Sequence, residues 1–191
     1  MKVILIGAGR LATNLGKALL EAGHDILQVY SRTMESASAL ATLAGGAPVT
    51  EIEKVRKDAD VYIISVKDSV LPDLVQALCS GRSTKVFLHT AGSVNMDVFA
   101  GMALHYGVFY PMQSFSKEQT VSFHDIPCFV EANDDYARDV LMQLAQGLTT
   151  KIYQLSSEDR KYLHLSAVFA CNFVNHCYAV SYDILKKHGI P

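Results

Sequence analysis

The sequence predicts a doubly wound α/β domain, a mostly parallel sheet of about eight strands, followed by the first long helix of an all-α segment. Three observations carry this expectation. Short apolar runs alternate with helix-period patterns through residues 1–155, the rhythm of right-handed strand-helix-strand crossovers. The first run, KVILI at 2–6, passes directly into GAGRLA at 7–12, which reads as strand, tight turn and helix. From Ser157 to about Lys187 a helical pattern runs without a breaker and ends at His188-Gly189, as helices with a terminal glycine do.

Each element follows from its own pattern. KVILI is continuously apolar, as a parallel strand covered on both faces must be. A second strand is expected at 25–30, a helix at 34–43 stopped by Gly45-Gly46, and a short strand near Pro48-Val49. Residues 51–57 read as a short charged helix and VYIISV (61–66) as the fourth strand. Asp68 is the expected cap of a helix carrying Val70, Leu71, Leu74, Val75 and Leu78. KVFLH (85–89) and HYGVFY (105–110) complete a sheet of expected order 3-2-1-4-5-6. The rhythm then changes: 110–127 is a long polar stretch holding two prolines, a candidate functional loop. A strand at 126–132, a helix at 134–147 and a last strand at 151–155 come next.

The glycine turn and the end of the second strand together point to a ligand. Gly7 permits the turn, Gly9 lets backbone approach a pyrophosphate, Ala12 keeps the helix close to the sheet, and the free N–H groups around Arg10 and Leu11 face phosphate. An NAD site carries an acidic residue about 20 positions further on. Ser31, Arg32 and Thr33 stand there instead. A guanidinium fork beside hydroxyls suits a 2′-phosphate, so NADP is the expected cofactor.

Composition excludes other classes. Half of the chain is apolar, 19% is charged and the net charge is −2, so a sizeable core is available and no basic surface marks a nucleic-acid partner. Cys79, Cys128, Cys171 and Cys177 are dispersed without CxxC or metal-like spacing; they read as reduced, mostly buried thiols in a cytoplasmic protein, and no metal site is expected. No apolar run of about 18 residues marks a membrane span, and the first strand leaves no room for a signal peptide. The GxSxG and HExxH patterns of hydrolases are absent.

Candidate chemistry lies on the long helix. At about 100° per residue, Lys161, His164, Val168, Asn172 and Asn175 fall within an arc of roughly 80°. A cation, an imidazole and two amides thus share one face of an otherwise apolar helix. Reduction of C=O or C=N requires a proton donor beside the acceptor, and Lys161 or His164 is the candidate, with Asn172 orienting substrate. Gln113 and Ser114 are candidates for hydrogen bonds to a substrate carbonyl or carboxylate, and His89 is expected to face the same pocket. His105 and His124 read as structural. A helix apolar on most sides must be covered on most sides, so further helices, a second subunit or both are expected to pack on it.

The succession GAGRLA, SRT, SVKDSVL, HTAGS, YPMQSFS and KYLHLSAVFACNFVNH resembles an uncharacterised family of NADP oxidoreductases, in which a Rossmann-type domain precedes a helical domain of unknown function. More distantly it is similar to the 6-phosphogluconate dehydrogenase superfamily, with ketopantoate reductase, hydroxyisobutyrate dehydrogenase and pyrroline carboxylate reductase. The resemblance implies a cofactor domain at 1–155 and, at 156–191, the opening of a helical domain that continues further in related chains. It implies that Ser65, Val66 and Lys67 line the ribose and phosphates, Val70 the adenine side, and His89, Thr90, Ala91 and Gly92 the nicotinamide end. It also implies a homodimer acting on a small molecule, with neither nucleic acid nor membrane as partner. The chain departs from the hydroxyacid dehydrogenases in having Leu165 where they carry Asn four residues after the lysine, which leaves the acid and the substrate open. An NADP-binding sensor without turnover is the alternative.

Overall fold

The computed structural model describes residues 1–116 and 121–190. Its strands are β1 (Lys2–Ile6), β2 (Asp25–Tyr30), β3 (Ala47–Val49), β4 (Val61–Ile64), β5 (Val86–His89), β6 (His105–Pro111), β7 (Cys128–Ala132) and β8 (Ile152–Gln154). Interleaved with them are helices α1 (Arg10–Glu21), α2 (Met34–Ala44), α3 (Leu71–Cys79) and α4 (Asp135–Gln146). The strands form one sheet in the order β3-β2-β1-β4-β5-β6-β7-β8, so the expected 3-2-1-4-5-6 arrangement holds and two strands extend it.

Strand alternation divides the core between the two faces of the sheet. Val3 and Leu5 of β1, with Ile63 of β4 and Leu88 of β5, face α1, α2 and α4 through Leu15, Leu19, Leu40, Leu141 and Leu144. Ile4, Ile6, Tyr62, Ile64 and Phe87 face the other way, onto Leu71, Val75 and Leu78 of α3 and onto Phe99. Both sets are excluded from water, which is why these strands read as continuous apolar runs rather than as alternating ones.

Several expectations are corrected. β7 pairs antiparallel with β6 and β8 parallel with β7; no helix crosses over in the described part of the connection between β6 and β7, and a parallel return would need such a crossover. Residues 117–120 of that connection lie outside the described residues. The charged segment after β3 contracts to a single 3₁₀ turn, Ile52–Lys54. Asp68 does not cap α3: it opens a 3₁₀ turn and accepts a hydrogen bond from the Ser93 hydroxyl. Only Cys79 and Cys128 are buried, whereas Cys171 and Cys177 are exposed. His105, read as structural, does pair within the fold, with Asp134 2.7 Å away.

The long helix forms as α5 (Ser157–Ala167), a π-helical turn (Val168–Phe173) and α6 (Val174–Lys187). Ser156 caps it, its hydroxyl accepting from the Asp159 N–H at 3.1 Å. Its first turn is fastened to the sheet by Arg160, only 1% exposed. Arg160 Nη1 donates to Glu131 Oε2 of β7 at 2.7 Å, and Nη2 to the Val94 carbonyl at 2.5 Å. Glu131 also accepts from the Ser157 N–H at 2.8 Å and from its hydroxyl at 2.6 Å. Beyond this anchor the helix projects: Phe169, Phe173, Tyr178 and Tyr182 are all exposed. No helix among the described residues is long and apolar enough to cross a membrane.

Removing one member of a buried ion pair strands the other charge, at a cost of about 3–5 kcal/mol. Glu131→Ala is therefore expected to lower stability by roughly that amount, read as a fall in the urea midpoint; an unchanged midpoint refutes the anchoring role.

Candidate functional site

The carboxyl ends of β1, β2 and β4 enclose a cleft of about 300 Å³ lined by Gly7, Ala8, Gly9, Tyr30, Ser31, Arg32, Ser36, Ser65, Val66, Lys67, Val70 and Leu74. Its floor is a backbone crossing. The Gly7 N–H donates to the Tyr30 carbonyl at 2.8 Å, and the Ser65 N–H to that of Ile6 at 2.7 Å. Gly7 has φ +109°, and a Cβ there would sit 2.2 Å from the Ser65 oxygen, so only glycine makes this turn. At Gly9 the reverse holds: a Cβ would meet nothing within 4 Å. The space above the start of α1 is open, and the first N–H groups of that helix lack intrahelical acceptors.

Arg32 and Lys67 are both exposed and, among the described residues, neither is part of an ion pair; Glu35 does not hold Arg32. Two free cations and no carboxylate among the described lining residues fit a polyanion at this cleft. Ala8, Tyr30, Ser36 and Leu74, which the sequence reading missed, complete the lining. Ser36 stands one turn after Arg32, a spacing that would have found it.

Other expected cofactor residues are placed differently. Leu11 and Ala12 pack into the core behind α1, leaving only their backbone toward the turn. Thr33 is the cap of α2, its hydroxyl accepting from the Ser36 N–H at 3.4 Å. His89, Thr90, Ala91 and Gly92 are buried and do not line the cleft. His89 continues the alternation of Phe87 and turns toward Phe99, with ring centroids 5.9 Å apart; it is a core histidine, not a pocket residue. Its Nδ1 accepts from the Ala91 N–H at 3.2 Å, and burial, followed by the nearby Arg160 charge, holds its pKa down to about 3. Thr90 donates to the Ile64 carbonyl at 3.4 Å.

A second cleft, of about 620 Å³, lies between the end of β6 and the long helix. Arg10, Tyr110, Gln113, Ser114, His164, Cys171, Asn172 and Asn175 are among its lining residues. The sequence-predicted Gln113, Ser114, His164 and Asn172 thus come together. Lys161 does not join them: it is exposed, while its neighbour Arg160 is the residue turned to the sheet.

The residue that sequence reasoning did not single out is Tyr110. Its hydroxyl is 2.9 Å from His164 Nδ1, and its ring meets the imidazole edge-on. Burial raises the Tyr110 pKa, the Arg160 charge opposes this and Asp68 adds to it. The phenol therefore stays protonated, and its hydroxyl and His164 Nδ1 engage one another, which leaves Nε2 as the other ring nitrogen. Gly92 sets the ring's position, since a Cβ there would be 2.5 Å from His164 Nδ1. In α1, buried Asn14 donates to the carbonyls of Arg10 at 3.0 Å and Ser116 at 2.7 Å. It also accepts from the Val121 N–H at 3.1 Å. The loop bearing Gln113 and Ser114 is thereby tied to the first turn of α1.

A doubly wound sheet with a glycine turn, a free arginine after β2 and a second cleft beside it defines a nucleotide-dependent oxidoreductase of the Rossmann class. A family model described as "NADP oxidoreductase coenzyme F420-dependent" matches residues 2–91, and one described as a domain of unknown function, DUF2520, matches residues 126–191. A solved structure from Bacteroides fragilis, provisionally named an NADP oxidoreductase, is 48% identical with a TM-score of 0.94, over 100% of this chain and 74% of that one. The chain belongs to this family of NADP oxidoreductases, in which a Rossmann-type domain is followed by a DUF2520 domain. A Thermotoga maritima protein (22% identity, TM-score 0.77, 98% of this chain and 71% of that one) shares the fold. So does an imine reductase from Myxococcus stipitatus solved with NADP+ (16%, 0.73, 100% and 68%). No curated protein matches the chain.

The buried His89 has a consequence in acid. In the unfolded chain its imidazole takes up a proton near pH 6.5, whereas the folded protein holds it neutral down to about 3. Protons in that window favour unfolding, so the stability held above pH 6.5 is lost progressively as pH falls toward 3. His89→Leu is expected to flatten this part of the acid limb, measured by urea denaturation at several pH values; an unaltered slope refutes the assignment.

Proposed function

We propose that this NADP oxidoreductase acts on a small carbonyl, imine or hydroxy compound held in the second cleft, with the nucleotide in the first. One observation carries the reading: the clefts abut at consecutive residues, Gly9 lining one and Arg10 the other, and the Tyr110–His164 pair stands in the second. The residues of the first cleft fit the dinucleotide. Gly9 leaves room for the pyrophosphate at the start of α1, and Ser31 and Arg32 are placed for a 2′-phosphate, with Lys67 across from them. When bound, the nicotinamide supplies or accepts a hydride. The protein must then give or take the accompanying proton: His164, held by its contact with the Tyr110 hydroxyl, would give it from Nε2 as the imidazolium and be left neutral, or take it on Nε2 as the neutral ring. Asn172, Gln113 and Ser114 orient the substrate by hydrogen bonds. The proposal assigns residues 1–155 to the nucleotide domain and the helix from 156 onward to the domain that closes the site.

Assembly as a homodimer is part of the same reading. Phe169, Phe173, Tyr178, Tyr182 and Ile184 expose an apolar helix of a kind that is ordinarily covered. A cytoplasmic setting accords with the free thiols of Cys171 and Cys177, and cell fractionation checks it.

Arg32→Ala is expected to cost NADPH roughly 1.5–3 kcal/mol of binding, about one to two decades in Kd, and to leave NADH affinity nearly unchanged. Calorimetric titration reads both, and equal affinities in the unmutated protein refute the 2′-phosphate site. For the chemistry, His164→Ala is expected to slow single-turnover hydride transfer by about 10²–10⁴-fold with cofactor affinity intact. Tyr110→Phe should show a smaller loss, and normal rates in both remove the pair from the mechanism. Light scattering on the protein is expected to give twice the chain mass; a monomer at high concentration counts against the dimer.

A further inference from the structure

The second cleft has an uneven chemistry. Arg10 is the one ordinarily charged side chain among its described lining residues; the other polar groups are the neutral Gln113, Ser114, Asn172 and Asn175, the Tyr110 phenol and the His164 imidazole. No carboxylate is among them. The guanidinium of Arg10 is exposed and makes no ion pair or hydrogen bond among the described residues. Only its backbone carbonyl is engaged, by Asn14.

That engagement matters for geometry. Asn14 is 2% exposed, and its amide ties the first turn of α1 to the Ser116 carbonyl. The backbone at Arg10 therefore stands at a fixed separation from the loop of Gln113 and Ser114, and the side chain reaches into the cleft from a rigid base. Across it, the Tyr110–His164 pair marks where a proton is exchanged. A ligand spanning this cleft would place a reacting group at His164 and another group at a planar, permanently charged fork. A guanidinium with no partner is matched by a carboxylate, which it binds through two parallel hydrogen bonds. A substrate ammonium would meet Arg10 with no acidic residue of the described lining to offset it.

We infer that the substrate is a small carboxylic acid, with Arg10 reading its carboxylate and the reacting carbon held toward His164. This rests on the second cleft being the substrate site. Arg10 is then a residue of substrate recognition rather than of the nucleotide site, although it directly follows the glycine turn. Amines and neutral ketones lack the group that Arg10 is placed to hold.

The test uses the protein loaded with NADPH and a panel of small 2-oxo acids, each paired with its neutral amide, with binding followed by quenching of the nicotinamide fluorescence. The acids are expected to bind about 10- to 100-fold more tightly than their amides. Arg10→Met should remove that preference while NADPH affinity stays at the unmutated level. Equal binding of acids and amides, a preference that survives Arg10→Met, or no binding by any acid of the panel would each overturn the inference. So would a loss of NADPH affinity in Arg10→Met, which would put the guanidinium on the nucleotide phosphates. Failure of the unmutated protein to bind NADPH is a separate outcome: it defeats the two-cleft reading, on which the inference depends.

Discussion

The site depends on one buried ion pair. Arg160 has no route to solvent, and its charge is offset by Glu131 on the antiparallel strand β7, far from it in sequence. The same guanidinium holds the Val94 carbonyl in the loop after β5. Three segments thus meet at one side chain: β7, the loop that leads out of Gly92, and the start of α5. The consequence is positional. One turn along from Arg160, His164 lies over Gly92 and against Tyr110, neither of which is near it in the chain. An exposed salt bridge would not fix a helix in this way, because water screens it and the long side chains are free to move. Here the alternative to pairing is an uncompensated buried charge.

The two clefts draw on different parts of the fold. The nucleotide cleft needs only β1, β2, β4 and the turns at their carboxyl ends. Those turns are short, fixed by backbone hydrogen bonds, and bring Gly7, Arg32 and Lys67 together almost independently of the chain beyond residue 91. The second cleft needs the whole chain. One wall is the β6 end and its loop, another the helix after β8, and its boundary is the first turn of α1. The second cleft is therefore sensitive to how the helical segment is seated, while the first is not.

Legibility in the sequence follows the same division. The order of the first six strands, the glycine turn and the residues Ser31, Arg32, Val66 and Lys67 were readable, because each is set by local pattern within one strand-helix unit. The reversal at β7 was not readable, since nothing local distinguishes an antiparallel strand from a parallel one after a long connection. The burial of His89 was accessible in principle: Phe87 and His89 share a face by alternation, but the end-of-strand position suggested the cleft. Lys161 was placed with His164 by helical phase alone. Phase says which residues share a face and nothing of where along the helix that face meets the sheet. The Tyr110–His164 contact joins residues 54 apart in sequence, and no spacing rule reaches that far.

The contact also decides what His164 is able to do. An isolated imidazole on a helix has two tautomers of similar energy and a ring free to turn, so its proton has no fixed address. Beside Tyr110, the buried phenol is harder to ionise than in water and engages Nδ1, while Gly92 permits the ring to lie close against the backbone. A larger residue at 92 would displace the ring that Tyr110 must reach. Nδ1 is thereby occupied by the phenol, and Nε2 is the other ring nitrogen. The pair thus fixes the orientation of the ring. This makes the combination of Gly92, Tyr110 and His164, rather than the histidine by itself, the chemical unit of the second cleft.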